Sequence, residues 1–344
     1  MRSLAVTVPP DQAETVRRSL RSQGLLRSDL KVAHGPTGVS FAVASSPGTP
    51  IPGSIVDERE FDELPSSPRS YRDLLSCSPE LLAELPRAFD VVGDVVLIRL
   101  PKGLAEHAHE IGEALLRFLP RARLVGWDQG VHGMERRRTI VPIAGRGDLR
   151  TMHQENGIRF EIDLSAAYFS PRLAREHARV AAGLRAGDRF ADLCCGIGPF
   201  SLTAASMGRA RSIVAVDVNP EAIALLERNR DRLGLKGRID ARAIRLEEFF
   251  PTADVYDRVV LNLPHEGIKY LTSVGRVLGR NGVLHYYEVT DRSAAERRPL
   301  ELARLFAEDG RTVMVVGQHV VHPYSPASDL LAFDLRFDAP SGDP

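Results

Sequence analysis

Asp188-Arg-Phe-Ala-Asp-Leu-Cys-Cys-Gly-Ile-Gly-Pro-Phe200 is the stretch whose reading decides the fold. Phe190, Ala191 and Leu193 follow a charged turn and read as a short buried strand. Gly196 and Gly198 let the chain turn sharply. Pro199 suits the first position of a helix that runs on through Ser201-Leu-Thr-Ala-Ala205. A strand, a glycine turn and a helix N-terminus leave free backbone N–H groups beside one carboxylate, Asp192. That arrangement suits a small polar cofactor. Which cofactor depends on the neighbouring strand ends.

Outward from this stretch, the pattern from residue 172 alternates helix and strand. A helix over 172–183 leads into the strand at 189–193. Ile213-Val-Ala-Val216 is a second buried strand ending at Asp217. Asn219-Pro220 opens a helix from Glu221 to Arg232. Asp240 to Ile244 is a third strand, and Arg258-Val-Val-Leu261 a fourth that ends in Asn262-Leu-Pro264. Gly282 to Tyr287 is a fifth, and 312–321 and 329–337 can close an antiparallel hairpin. The class is α/β: a mostly parallel sheet covered by helices. Ligands of such sheets sit at the carboxyl ends of the strands. Three loops there are chemically suited: Asp192 with Gly196 and Gly198; Asp217, which can accept both ribose hydroxyls, with Val218; and Asn262 to Pro264. Ser201 stands where a dinucleotide fingerprint needs its last glycine, and no lysine-bearing phosphate loop is present. The three loops together favour S-adenosylmethionine over NAD.

The chain has 344 residues, more than one compact core usually takes. It is 43% hydrophobic and 26% charged, with 45 Lys+Arg against 45 Asp+Glu. A globally basic nucleic-acid binder is excluded, but a local basic face is not. No signal peptide is evident, nor an apolar run near the roughly 20 residues of a membrane helix. The expectation is a cytoplasmic protein away from membranes. Cys77, Cys194 and Cys195 form no Cys-x-x-Cys pair, which points away from a disulfide scaffold or zinc site and fits a reducing compartment. Cys194 and Cys195 read as packing beside the turn. No metal is expected.

Two smaller α+β domains precede the α/β part. In 1–55, a strand at 3–8 leads to Pro9-Pro10-Asp11, a helix with Ala13, Val16 and Leu20 on one face, and strands near 29–34 and 39–45. Proline and glycine between 46 and 68 read as a linker, set at 56–68. In 69–165, residues 88–100 are strand-like with a bulge or bend at Gly93-Asp94. The next helix puts Ala108, Ile111, Leu115 and Phe118 on one face. His107 and His109 sit two apart and cannot share that face, which speaks for solvated side chains. Between Arg117 and Arg150 lie eight arginines against three acidic residues. Arginine forks suit phosphate oxygens, and a solvated face accounts for the charge equally well. The α/β domain is set at 166–344.

Several motifs carry a family resemblance. Asn262-Leu-Pro264 resembles the Asn/Asp-Pro-Pro signature of methyltransferases acting on planar nitrogen. Glu155-Asn-Gly-Ile-Arg-Phe160, Tyr168-Phe-Ser-Pro-Arg-Leu173, Asp192 to Phe200, His285-Tyr-Tyr287 and Tyr324-Ser-Pro326 resemble the archaeal and eukaryotic tRNA (guanine-N1)-methyltransferase that modifies position 37. With Ser70-Tyr-Arg-Asp-Leu74, the resemblance covers nearly the whole chain. It implies a Rossmann-like class I methyltransferase domain that binds S-adenosylmethionine and receives a guanine flipped out of the anticodon loop. The N-terminal domain is then expected to dock on the outer corner of tRNA, and the middle domain to help grip the anticodon stem-loop. A monomer is expected.

The resemblance also implies site residues. The base is Glu176. The arginine that holds guanine O6 falls at Arg136 by ungapped counting, and the run of three leaves Arg137 and Arg138 open. Tyr168, Asn262 and Pro264 would contact the guanine. His177, Asp192, Gly196, Gly198, Asp217, Val218, Arg245, Leu246 and Asn262 would hold the cofactor. The chemistry is consistent with such a set. Guanine N1 is a poor nucleophile until its proton leaves, and a positioned carboxylate is typically worth about a hundred- to ten-thousand-fold. The charge that moves to O6 can be stabilised by one donor by about 3 kcal/mol.

The sequence departs from the family pattern at three places. His177 replaces an arginine next to the base, and its charge would depend on pH. Arg245 replaces the acid usual after the third strand. Cys194-Cys195 replaces Phe-Ala. Two alternatives follow: a wybutosine-pathway enzyme of the same fold, moving an aminocarboxypropyl group or modifying an imidazoguanosine, and a catalytically dead tRNA-binding relative.

Overall fold

The computed structural model describes residues 1–64, 68–133, 135 and 137–338. The chain divides into two compact units, Met1–Asp73 and Leu74–Pro344.

In the first unit, strand β1 (Arg2–Val8) is followed by helix α1 (Ala13–Ser22), β2 (Ala33–Gly35), β3 (Gly38–Val43) and β4 (Ile55–Glu60). The sheet order is β2-β3-β1-β4. Val16 and Leu20 of α1 pack on Val6, Val8, Phe41 and Val43. The segment expected to be a linker from residue 56 is strand β4 for its first five residues. It runs antiparallel to β1, with Arg2 opposite Glu60 and Thr7 opposite Ile55. The physical reason is that β1 would otherwise present a bare edge of unpaired N–H and C=O groups. Pro52 and Gly53 make the turn before the strand instead of marking a domain end.

The second unit opens with α2 (Pro79–Glu84), β5 (Phe89–Val92) and β6 (Val95–Ile98). Val92 pairs with Val95 across Gly93-Asp94, and Gly93 has φ +57°. A two-residue turn with a left-handed glycine reverses the chain, so 88–100 is a hairpin and not one bent strand. Helix α3 (Ala108–Phe118), β7 (Leu124–His132) and β8 (Arg137–Gly145) complete a sheet ordered β5-β6-β7-β8. A separate hairpin, β9 (Arg150–Glu155) and β10 (Ile158–Asp163), comes next.

Then come α4 (Ala174–Gly183), β11 (Arg189–Leu193), α5 (Pro199–Met207), β12 (Ser212–Asp217), α6 (Pro220–Arg232), β13 (Ile239–Ala243), α7 (Leu246–Phe249), β14 (Tyr256–Leu261), α8 (Leu271–Val277), β15 (Leu278–Asp291), α9 (Arg298–Glu308), β16 (Val313–Pro323) and β17 (Ser328–Phe337). The sheet order is β13-β12-β11-β14-β15-β17-β16. The first five are parallel, and the last two run antiparallel as the expected hairpin. The inner parallel strands β12, β11 and β14 are largely apolar because helices cover both faces, while the edge strand β13 carries Asp240 and Arg242 at the surface.

No break occurs at the boundary set at 165/166. Ile158, Phe160 and Ile162 of β10 share one apolar core with Val92, Val95 and Leu124 and with Phe190, Phe200 and Leu226. Asn229 of α6 clamps β10 with two hydrogen bonds to the Glu161 backbone, at 2.7 and 2.8 Å. The β9–β10 hairpin is thus built into the large sheet's helical layer.

Candidate active site

The glycine turn after β11 is made by backbone geometry. Cys194, Gly196 and Gly198 all have positive φ, at +62°, +56° and +76°. Asp192 is buried, and its Oδ2 accepts hydrogen bonds from the Ser201 N–H (3.1 Å) and Oγ (2.7 Å), tying the strand to the first turn of α5. Its Oδ1 is buried without a hydrogen-bond partner among the described residues. Burial raises the Asp192 carboxyl to about 7; the Ser201 bonds pull against this, and Asp217 adds to it. Burial also pushes the Cys195 thiol up, so this cysteine is packed and not a ready thiolate.

Gly196 lines the cavity, and its N–H donates to Asp217 Oδ2 at 2.7 Å. Asp217 Oδ1 accepts from the Asn219 N–H at 2.9 Å, which fixes the carboxylate at the mouth of β12. Asn219 caps α6 through its side chain and donates to the Ala166 carbonyl at 2.7 Å. Val218, Ile244, Arg245 and Leu246 form the adjoining wall, with Arg245 paired to Glu247 at 3.6 Å. Asn262, Leu263 and Pro264 form the wall beyond β14, and the Pro264 carbonyl accepts from the Val289 N–H at 3.2 Å. Tyr324 bonds His265 at 3.0 Å on the same rim. The cavity therefore joins the ends of β11, β12, β13 and β14, where an open α/β sheet places its ligand.

Two expected cofactor contacts lie elsewhere. Gly198 is not in the cavity wall; a Cβ there would meet Leu226 Cδ1 at 2.2 Å. Its role in this structure is to let α5 approach α6. Asp192 lies behind the wall and supports the turn. His177, Gly196, Asp217, Val218, Arg245, Leu246 and Asn262 all line the cavity, as do Tyr168 and Pro264.

Glu176 is in the first turn of α4, between the wall residues Leu173 and His177, but it does not itself line the cavity. Its carboxylate is buried in a charge network. Oε2 accepts from Arg179 Nε (3.0 Å) and Nη2 (2.8 Å) and from the Tyr287 hydroxyl (2.8 Å). Oε1 lies 2.8 Å from His319 Nε2. Arg179 continues to Asp334 (2.6 Å), which holds His285 at 2.6 Å. Burial pushes the Glu176 carboxyl up, but the bonds from Arg179 and His319 outweigh it and hold the group below the usual carboxylate range. Asp334 is held lower still, at about 2: burial opposes the shift, and His285 and Arg179 cause it.

His177, which replaces the family arginine, is buried, and its Nδ1 lies 2.6 Å from Glu155 Oε1. Its ring meets Phe200 edge-on at 4.5 Å. Burial pushes the Glu155 carboxyl up, while His153 and His177 bring it below the ordinary value. Glu155 was visible in the sequence only as part of a motif. Its role as the partner of His177 was missed, and only the pairing of an acid with an unusual histidine could have signalled it.

Arg136 lies outside the described residues. Arg137 pairs with Glu135 (2.6 Å) and Glu221 (3.3 Å). Arg138 is different: its side chain is only 3% exposed, and its guanidinium lies 4.7 Å from the Tyr168 ring centroid. Nη1 is ion-paired with Asp128 Oδ2 at 3.4 Å without meeting hydrogen-bond geometry, and Nε has no hydrogen-bond partner among the described residues. A buried guanidinium with spare donors, stacked on a cavity residue, is prepared for an acceptor.

The cavity chemistry fits S-adenosylmethionine. Val218, Ile244 and Leu246 offer apolar surface to a flat base, Asp217 offers a carboxylate to vicinal hydroxyls, and the orphaned Asp192 oxygen lies behind the turn. Among the described residues no group of His, Cys, Asp or Glu is placed to hold a metal ion, and no helix is long and apolar enough to cross a membrane.

Residues 151–316 match the TRM5/TYW2 methyltransferase domain, and residues 71–148 match the TYW2 N-terminal domain. The chain is 32% identical to the tRNA (guanine(37)-N(1))-methyltransferase Trm5b of Pyrococcus abyssi, over 97% of this chain and 99% of that one. It is 26% identical to a tRNA(Phe) (4-demethylwyosine(37)-C(7)) aminocarboxypropyltransferase of Pyrococcus horikoshii, over 77% of this chain and 95% of the other. Among solved structures, Trm5b from Pyrococcus abyssi superimposes with a TM-score of 0.84 at 32% identity, covering 98% of this chain and 100% of that one. The complex of aTrm5 with tRNALeu gives 0.76 at 26% identity, covering 97% and 100%.

Proposed function

The chain belongs to the TRM5/TYW2 methyltransferase family and is a tRNA (guanine(37)-N1)-methyltransferase that uses S-adenosylmethionine, and on that premise we propose how its own residues carry the reaction. The single observation that supports the assignment of roles is the meeting of one cavity with one buried carboxylate. The wall holds Asp217, Arg245, Leu246, Asn262, Pro264 and Tyr168, and Glu176 stands directly behind it on α4.

S-adenosylmethionine supplies an electrophilic methyl group. Gly196, Asp217, Val218, Arg245 and Leu246 would hold it, together with His177 and Asn262 of the same wall. Tyr168, Asn262 and Pro264 hold the edge of the guanine. Glu176 takes the N1 proton through Oε1, the oxygen with fewer donors on it among the described residues. Arg138 donates Nε–H or Nη1–H to O6 as charge develops there, in the role first placed at Arg136. Glu176 is covered in this structure, so the incoming base draws the carboxylate forward or displaces a wall side chain. The depressed Glu176 carboxyl keeps the base ionised at neutral pH and leaves it a weak proton acceptor. Catalysis therefore leans on O6 stabilisation as well as on the base.

The partner is tRNA. We assign Met1–Asp73 to docking on the body of the tRNA and the sheet β5-β6-β7-β8 to the anticodon stem-loop. We expect a cytoplasmic monomer; the three free cysteines fit that compartment. The test is an unmodified guanosine-37 transcript with Glu176→Gln and Arg138→Ala. Glu176→Gln should abolish formation of 1-methylguanosine while leaving cofactor affinity unchanged. Arg138→Ala should lower the rate by roughly a hundredfold. Activity of Glu176→Gln near that of the parent removes Glu176 as base, and an unaffected Arg138→Ala returns the O6 contact to Arg136.

A further inference from the structure

The reaction releases one proton per methyl transferred, and the base must pass it on before it can act again. The two Glu176 oxygens differ in this respect. A carboxylate oxygen offers about two lone-pair sites. Oε2 is saturated by two Arg179 donors and the Tyr287 hydroxyl, while among the described residues Oε1 has His319 Nε2 alone, at 2.8 Å. The N1 proton therefore arrives on Oε1, on the oxygen that His319 touches.

Each of the other neighbours fails as an exit. Arg179 does not deprotonate in proteins. The Tyr287 hydroxyl is buried, and burial together with Glu176 pushes it well above its ordinary value. Asp334 and His285 do not touch Glu176; they are reached only through Arg179. His319 comes from the edge strand β16, and its side chain is 37% exposed. It opens on a shallow depression lined by Thr290, Arg292, Gln318 and Asp329, where Arg292 and Asp329 neutralise one another at 2.8 Å. Histidine is the side chain suited to relaying a proton at physiological pH.

The geometry points to His319 as the relay that carries the proton from Glu176 to solvent, through a depression that shares no residue with the cavity; this rests on the reading of Glu176 as base. Before transfer, the ring donates Nε2–H to the ionised carboxylate. As the N1–H bond breaks, its proton goes to Oε1 and its electron pair stays on N1 for the incoming methyl group. Once Glu176 is protonated, the partly exposed ring changes tautomer through solvent: water takes the Nε2 proton and gives one to Nδ1, which leaves a lone pair on Nε2 facing the Oε1 proton. The Oε1 proton then moves to Nε2, and the Nδ1 proton leaves to water. One proton enters and one leaves, and Glu176 is ionised again while product still fills the cavity.

The test compares proton release with methyl transfer in a single turnover, using a pH-indicator dye in weak buffer. His319→Gln keeps an N–H donor toward Oε1 but cannot relay. Whatever the rate of methyl transfer, proton release should lag behind it by roughly tenfold, with added imidazole restoring it through the opening. Proton release that keeps pace with methyl transfer in His319→Gln overturns the relay. Where it keeps pace at a lowered rate of methyl transfer that imidazole leaves unchanged, His319 is a positioning residue instead. In the cofactor-free protein, nitrogen-15 histidine spectra should place the proton of the neutral His319 ring on Nε2; a proton on Nδ1 overturns the proposal. Glu176→Gln is run alongside. If it still methylates, the base reading fails, whereas a dead Glu176→Gln with prompt proton release in His319→Gln defeats the relay alone.

Discussion

The two ends of the active cavity are built by different means. The cofactor end is made of backbone. A strand stops, glycines turn the chain, and carboxylates at neighbouring strand ends are held by N–H groups such as Gly196 N on Asp217. The base end is made of side chains from separate elements: Glu176 on α4, Tyr287 on β15, His319 on β16 and Asp334 on β17. The first kind of site follows from local rules and tolerates exchange of side chains that do not face the ligand. The second is a charge network, in which each member sets the protonation of the others.

The largest test of this contrast is Glu176→Gln. We expect kcat to fall by about a hundred- to ten-thousand-fold with cofactor Kd unchanged, because the base end acts on the N1 proton and the cofactor end acts on binding. Single-turnover assays with calorimetry on the same samples separate the two quantities. A parallel loss of cofactor affinity would mean that the ends are one unit.

Gly198→Ala comes next. The residue has φ +76°, and a Cβ would meet Leu226 Cδ1 at 2.2 Å. Left-handed strain and the displaced leucine together should cost on the order of 3 kcal/mol, read as a lowered Tm. Cofactor affinity of the folded fraction should hold, since Gly198 does not line the cavity. Asp217→Asn should act the other way. The Gly196 N–H or the Asn219 N–H then faces an amide NH2, and one ribose acceptor is lost. Cofactor Kd should rise about tenfold with kcat at saturation little changed, and Tm should fall less than in Gly198→Ala, since one unmet N–H costs about 1–2 kcal/mol.

What was legible in the chain follows the same division. Pro199 after Gly198, the cap Asn219 before Pro220, and apolar runs ending at Asp217 and Asn262 are signals contained within a few residues, and the parallel sheet followed from them. Strand β4 was hidden because its need is set by the far edge of β1, some fifty residues away, while the segment just before it is rich in proline and glycine and its own residues are largely charged. The hairpin at Gly93-Asp94 was read as a bend because alternation alone does not separate a bulge from a reversal. At the base end the motifs marked Glu176 and Tyr287, yet nothing local pairs them with His319 or Asp334. Side chains meeting across more than a hundred residues leave no spacing rule. The pairing of Glu155 with His177 is likewise a product of β9 and α4 meeting in one core.

The smallest effect is the most discriminating. Tyr287→Phe removes one donor to Glu176 Oε2 and changes no residue of the cavity wall. Glu176 sits below the usual carboxylate range: burial works against this, and hydrogen bonds from Arg179, His319 and Tyr287 produce it. Those bonds favour the ionised form, so losing one lets the carboxyl rise toward its ordinary value. The base is active when ionised, and the acid limb of single-turnover methyl transfer marks the pH at which it protonates. The limb should therefore move to higher pH in Tyr287→Phe, by less than about one unit for one hydrogen bond. At pH above the limb a more basic carboxylate takes the N1 proton slightly better, so the plateau rate should equal or exceed that of the parent. Both signs come from the network alone. A limb that stays in place with a lowered plateau would mean that Tyr287 orients Glu176 without tuning it, and the base end would then be as geometric as the cofactor end.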